Sequence, residues 1–314
     1  MSNTIAYVDN QTLTNIADAV RYKTGTNGKM LLSEIPDKIR NIEGIIPSGS
    51  IEITENGTYD VTTKASVVVN SPNQWTSDGI AENSQPSGDI VLTTAQFIGE
   101  RAFIGRLGIT SITSDSVLEI KSACFEGCTN LTSVNFKNAT TTNGGFKNCS
   151  SLVEVHMPRI TGITQSMFQN CTSIVKLYLP SAANVAIWGA SGCTSLEELI
   201  LPSCVNFGYY SWSQIEGDYA LKDIVFGGNS IVRTEVKAFD KTNYAEGGEG
   251  GNIWIRQSLY DHLGDGSNLD FLTNTAWNTL NSYGTITWKP IEGSKYETYM
   301  PNGQKYNEEM GITE

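Results

Sequence analysis

The chain has 314 residues, 39% of them hydrophobic, and a formal net charge of −12. That length and hydrophobic content suffice for more than one packed core and exclude wholesale disorder. The acidic balance disfavours a nucleic acid or an anionic membrane as partner, and no segment reaches the roughly 18 apolar residues that a membrane helix needs.

The first residues, MSNTIAYVDNQTLTNIADAV, lack a basic segment followed by an apolar run. No export through a secretory signal is therefore expected, and the six cysteines are expected to stay reduced. Leu13, Ile16 and Val20 fall at helical spacing, TGTNGK breaks the pattern, and Ile35, Ile39 and Ile42 follow a plausible cap at Ser33. Residues 1–46 are therefore read as a helical attachment module, since two short helices cannot bury enough surface alone. In residues 47–75, IEITENGTYDV alternates around Asn56-Gly57 and a further strand runs from Ala65 to Asn70, which predicts a small β module.

From residue 76 to 250 the chain repeats itself. Cysteines stand at 128, 149, 171 and 193, in steps of 21, 22 and 22. With each cysteine as position zero, apolar residues recur three, six and eight places later, as in Leu152, Val155 and Met157 or Ile174, Leu177 and Leu179. Arg106 and Asp218 hold position zero in flanking copies, where burial is expected to be weakest, and a degraded copy surrounds Ile90 and Leu92. A fixed period in this range predicts a repeat solenoid, β-rich with short helical or 3-10 turns, whose parallel sheet has about seven coils. The alternating pair in each unit is a short strand that pairs with its neighbour about 4.8 Å away.

The cysteines are read as a buried ladder, because a free cysteine packs as a small hydrophobe. A disulfide between adjacent coils is compatible with the spacing. Zinc fits less well, because the gaps far exceed the usual two to four residues. Cys124 and Cys128 have such a gap but no matching second pair, so they too read as structural.

The units IGERAFIG (98–105), FEGCTNLTSVNF (125–136), FKNCSSLVEVHMP (146–158), FQNCTSIVKLYLP (168–180) and SGCTSLEELILP (191–202) resemble the BspA-type leucine-rich repeat. That likeness implies a leucine-rich repeat solenoid and, as one function, a bacterial cell-surface adhesin. The segment NIWIRQSLYDHL…AWNTLNSYGTITWKPIEG resembles the strand, helix and strand that close such proteins, which makes residues 251–292 a C-terminal cap and residues 293–314 a tail. The N-terminal segments ADAVRYKTGTNGKMLLSEIPDKIRNI and ITENGTYDVTTKASVVVN resemble modules of tailed-bacteriophage tail and baseplate proteins. This second likeness implies a virion protein assembled in a host cytoplasm and joined to other virion proteins through its N-terminus. Such a protein would act as a homo-oligomer that displays the solenoid to a host-surface protein or glycan, and this is the leading expectation from sequence.

No nucleophile elbow, zinc-protease motif or phosphate loop is present, and the chain has only two histidines, His156 and His262. DGSNLD (265–270) lacks the glycine and final glutamate of a calcium loop, and GGEGG (247–251) reads as a surface turn. The expectation is a protein without catalysis, metal or cofactor. Binding candidates lie at positions five and seven of each unit, which face away from the core. Glu154, Lys176 and Glu198 alternate in sign along one file, and His156, Tyr178 and Ile200 form the neighbouring file with Val225. The apolar file needs a ligand, the terminal segment or another subunit to cover it. Trp188, Tyr209, Tyr210 and Trp212, in and before the insertion after Cys193, are further candidates, either for stacking on a ligand or for plugging an irregular coil.

Overall fold

A computed structural model of the chain describes residues 50–53, 66–69, 88–93, 95–208 and 215–312. Contacts divide the chain into two units, Met1–Ser50 and Ile51–Glu314. The helical positions Leu13, Ile16, Val20, Ile35, Ile39 and Ile42 and the insertion residues Tyr209, Tyr210 and Trp212 lie outside the described residues.

Each coil contributes one strand to each of two files. The first file holds β1 (Ser50–Ile53), β2 (Ser66–Val69), β3 (Gly88–Leu92), β5 (Ile109–Ser114), β7 (Ser133–Phe136) and β9 (Glu154–His156). It resumes as a separate sheet of β11 (Lys176–Tyr178), β13 (Glu198–Leu201), β15 (Asp223–Phe226), β17 (Gly251–Ile255) and β18 (Ile286–Pro290). The second file is built of two-residue strands. These are β4 (Phe97–Ile98), β6 (Glu119–Ile120) and β8 (Thr141–Thr142) in one sheet, then β10 (Gly162–Ile163), β12 (Asn184–Val185), β14 (Asn206–Phe207) and β16 (Arg233–Thr234) in another. Paired strands run parallel in the repeat register, for example Ser111↔Ser133↔Glu154 and Tyr178↔Ile200↔Val225. β2 joins the same ladder, with Val67 opposite Ile90, so the sheet extends into the segment that the sequence assigned to a separate β module.

The core is a stack of equivalent residues. Leu131, Leu152, Ile174 and Leu196 are all fully buried. Beside them, Phe103, Phe125, Phe146 and Phe168 stack nearly parallel with centroids 5.2, 5.4 and 5.8 Å apart. The cysteines sit where the sequence placed them. Cys128, Cys149, Cys171 and Cys193 are buried, and each Sγ donates to the carbonyl of the phenylalanine one coil back, at 3.0 to 3.1 Å. All six cysteines are free thiols. Burial pushes Cys128 and Cys171 up to about 12, so these groups are packing thiols rather than nucleophiles.

Position minus one follows a conformational rule. Gly105, Gly127, Asn148, Asn170, Gly192 and Gly217 all have φ between 60° and 87°. Glycine and asparagine are the residues that tolerate this left-handed region. Asn170 also donates its amide to Asn148 Oδ1 at 2.9 Å, which links two coils.

Position zero of the last copy departs from the expectation. Asp218 is completely buried, because the solenoid continues past it. The following turn, with Phe239 and Tyr244, and β17 stack on its coil, and Gly217 N–H bonds to Lys241 O at 3.2 Å. The cap then closes the stack in the order that the likeness implied, strand, helix and strand. Its helix (Thr275–Ser282) is capped by Asn274 and buries Trp277, whose Nε1 donates to Val232 O at 2.7 Å.

Candidate interaction surface

On a parallel strand alternate side chains leave the same face, so positions five and seven of every coil form two outward files. The structure divides those files in two. Over β11, β13 and β15 they are covered by the chain's own end, residues 291–312, which the sequence had divided between the last two residues of the cap and a tail from 293. Ile200 and Val225 are completely buried there and pack with Ile291, Tyr296 and Met300. Tyr178 meets Tyr299 edge to face at 5.0 Å and donates its hydroxyl to the Tyr299 carbonyl at 3.0 Å. The apolar file is therefore explained by intramolecular cover.

The charged file is tied into the same strap. Glu198 accepts from Lys176 at 3.0 Å, from the Tyr296 hydroxyl at 3.0 Å and from Lys295. Partial burial alone would raise its pKa. Hydrogen bonds from Lys295 and Lys176, with the Lys176 charge, outweigh it and hold the carboxyl below the usual range. Lys176 also reaches the Tyr299 hydroxyl at 2.5 Å. The strap ends in a short helix (Gln304–Met310), from which Glu309 lies 2.9 Å from His156 Nδ1.

Over β5, β7 and the Glu154 end of β9 the strap leaves the files open. Ser111 and Thr110 bond to Asp89. Thr113, Ser133 and Glu154 make no side-chain hydrogen bond or ion pair with the described residues, and Asn135 Oδ1 is buried without a partner. Glu154 thus stands outside the alternating ion ladder that the sequence predicted, since Lys176 turns to Glu198. Where β9 and β11 part into separate sheets, these groups line an open cleft of about 490 Å³, bounded on the far side by His156, Tyr178 and Glu309.

Among the candidates, His156, Tyr178, Ile200, Glu154, Lys176 and Glu198 are neighbours on one face. Trp188 is not among them. It follows β12 in the second file, is 38% exposed, and has φ of 54° at a turn position shared with Arg101, Ala123 and Ser166. The DGSNLD turn spends its carboxylates on its own chain: Asp265 accepts from Ser267 N–H and faces His262, while Asp270 caps Leu272. Positions five and seven of the Cys128 unit are Ser133 and Asn135, so sequence reasoning reached them, but it missed the strap residues Tyr296, Tyr299 and Met300. A polar tail without the repeat period gave no sign of them beyond the apolar file that needed cover.

Residues 96–217 and 142–245 match the model of the BspA type leucine rich repeat region, in six copies. No curated protein matches the chain in sequence. Among solved structures, the chain is similar to the leucine rich repeat protein of T. pallidum, at 22% identity over 59% of this chain and 78% of that one, with a TM-score of 0.38. It is also similar to the pneumococcal vaccine antigen PcpA, at 11% identity over 76% and 83% of the two chains (TM-score 0.30). A leucine rich cell surface protein of Faecalibacterium prausnitzii shares 14% identity over 85% and 91% (TM-score 0.27). The described coils and the family match agree: residues 96–245 of this chain form a BspA-type leucine-rich repeat region.

Proposed function

We propose that the chain is a BspA-like surface protein that acts by binding rather than catalysis. Its contact face is the uncovered run of the first strand file, from Ser111 to Glu154. One observation carries this reading. The strap engages the outward side chains of β11, β13 and β15 and, on β9, only His156, which leaves Thr113, Ser133 and Glu154 on a polar surface with unused hydrogen-bonding groups. Catalysis by a carboxylate pair such as Glu154 and Glu198, which would need to face each other at roughly 5–10 Å, has little support. Glu198 is held charged by two lysines and is a poor proton donor. The virion reading rests chiefly on the N-terminal resemblance, whereas the surface-protein reading rests on the repeat region, so the latter is preferred.

The test is binding of fluorescently labelled full chain to a panel of bacterial and epithelial cells. Ser133→Arg and Asn135→Arg place bulk and charge on the open face and are expected to weaken binding about tenfold or more, as for the loss of a central interface contact. Lys222→Ala, on an exposed residue of the covered half, is expected to bind as the parent does. Equal binding by all variants, or none by the parent, would overturn the reading.

A further inference from the structure

The cleft between β9 and β11 has a chemistry that narrows the ligand, if the open strand face is the binding face as proposed above. We infer that it receives a neutral, polyhydroxylated sugar residue.

The unused groups are of mixed type. The Thr113 and Ser133 hydroxyls each donate one hydrogen bond and accept others, and the Asn135 amide offers both donors and an acceptor. Glu154 accepts only, and its two oxygens suit a pair of adjacent hydroxyls. A sugar hydroxyl is itself both donor and acceptor, so it matches every group in this set. Asn135 Oδ1 is shut away without a donor, which costs about 1–3 kcal/mol, so an amide that turns to present this oxygen to a ligand hydroxyl in the cleft regains that amount.

Charge removes the nearest alternatives. An anionic ligand would meet Glu154 and Glu309, while Lys176 and His156 at the rim are engaged by Glu198 and Glu309. A compact ammonium ion would satisfy Glu154 but leave the N–H groups of Asn135 facing a cation. Tyr178, fixed at the strap's edge by Tyr299, also borders the cleft, and an aromatic ring suits the C–H face of a pyranose.

The experiment titrates the full chain with neutral oligosaccharides (glucan, mannan and N-acetylglucosamine oligomers) by saturation-transfer NMR, with hexalysine and a sialylated trisaccharide as charged probes. The same neutral oligosaccharides compete in the cell-binding assay, on untreated cells and on cells oxidised with periodate, which cleaves vicinal diols. The expected result is binding of at least one neutral oligosaccharide, weakened about tenfold by Asn135→Ala and by Glu154→Gln with melting temperatures no lower than the parent's, and loss of cell binding after periodate. Cell binding that Ser133→Arg removes but that survives periodate and is abolished by protease treatment of the cells overturns the sugar inference and leaves the adhesion reading standing. Preference for hexalysine or the sialylated probe overturns it as well. Equal cell binding by the parent and Ser133→Arg overturns both.

Discussion

Met300 Sδ occupies the space where any side chain on Gly227 would begin. A Cβ on Gly227 would also lie 2.9 Å from Pro202 Cα, which is backbone and has little room to yield. The strap therefore depends on an absence of side chain at the end of β15. This contact, with the Ile200 and Val225 pocket beside it, makes the C-terminal segment part of the fold rather than an appendage.

Gly227→Ala is expected to lift the strap. Overpacking of this kind costs about 1–3 kcal/mol, and the flexible methionine can move where Pro202 cannot. Hydrogen exchange should rise at residues 295–310 and stay unchanged at Leu131 and Leu152, deep in the repeat stack. Protection that falls across the whole solenoid, or nowhere, would contradict a locally held strap.

The solenoid was legible because its physics is periodic. Burial of a ladder requires the same residue class at the same place in every coil, so Cys149 and Cys171, or Leu152 and Ile174, announce their role by recurrence. The left-handed position before position zero, held by Gly or Asn from Gly105 to Gly217, went unread in the sequence, and it takes the backbone angles to show why those two types share it. The strap was not legible, since EGSKYETYMPNGQKYNEEM occurs once and its apolar residues are few. Its trace in the sequence was indirect: Ile200 and Val225 are apolar where an outward residue should be polar. The burial of Asp218 escaped notice for a related reason. The coil that covers it, around Phe239 and Tyr244, departs from the repeat spacing.

The cysteine ladder predicts a thiol that is inert in the folded state. With Cys171 pushed up to about 12 by burial, iodoacetamide at pH 8 should label none of Cys128, Cys149, Cys171 and Cys193 until the chain is unfolded in denaturant. Cys171→Ala should cost about 1–3 kcal/mol in urea unfolding, through the small cavity and the Phe146 carbonyl left without its donor. Cys171→Ser keeps a donor in nearly the same volume and should cost less than Cys171→Ala. Rapid native labelling, or an alanine variant as stable as the parent, would refute a packing role.

Asp218 takes the cysteine's place without the cysteine's ability to stay neutral at low cost. Burial pushes its carboxyl from the ordinary value of 3.8 up to about 9, only partly offset by the backbone N–H groups of Cys193 and Gly192, and neither oxygen completes a hydrogen bond. The folded state therefore holds a proton that the unfolded chain releases. Its contribution is fully present below pH 3.8 and is lost as pH rises towards 9. Within that window stability should fall by up to about 1 kcal/mol per pH unit. Asp218→Cys restores the ladder residue and removes this slope, as does Asp218→Asn, so both variants should gain on the parent as pH rises from 5 to 8. Urea unfolding at pH 5, 6.5 and 8 measures it: parallel pH profiles for the parent and Asp218→Asn would mean that the carboxyl is already ionised inside the stack.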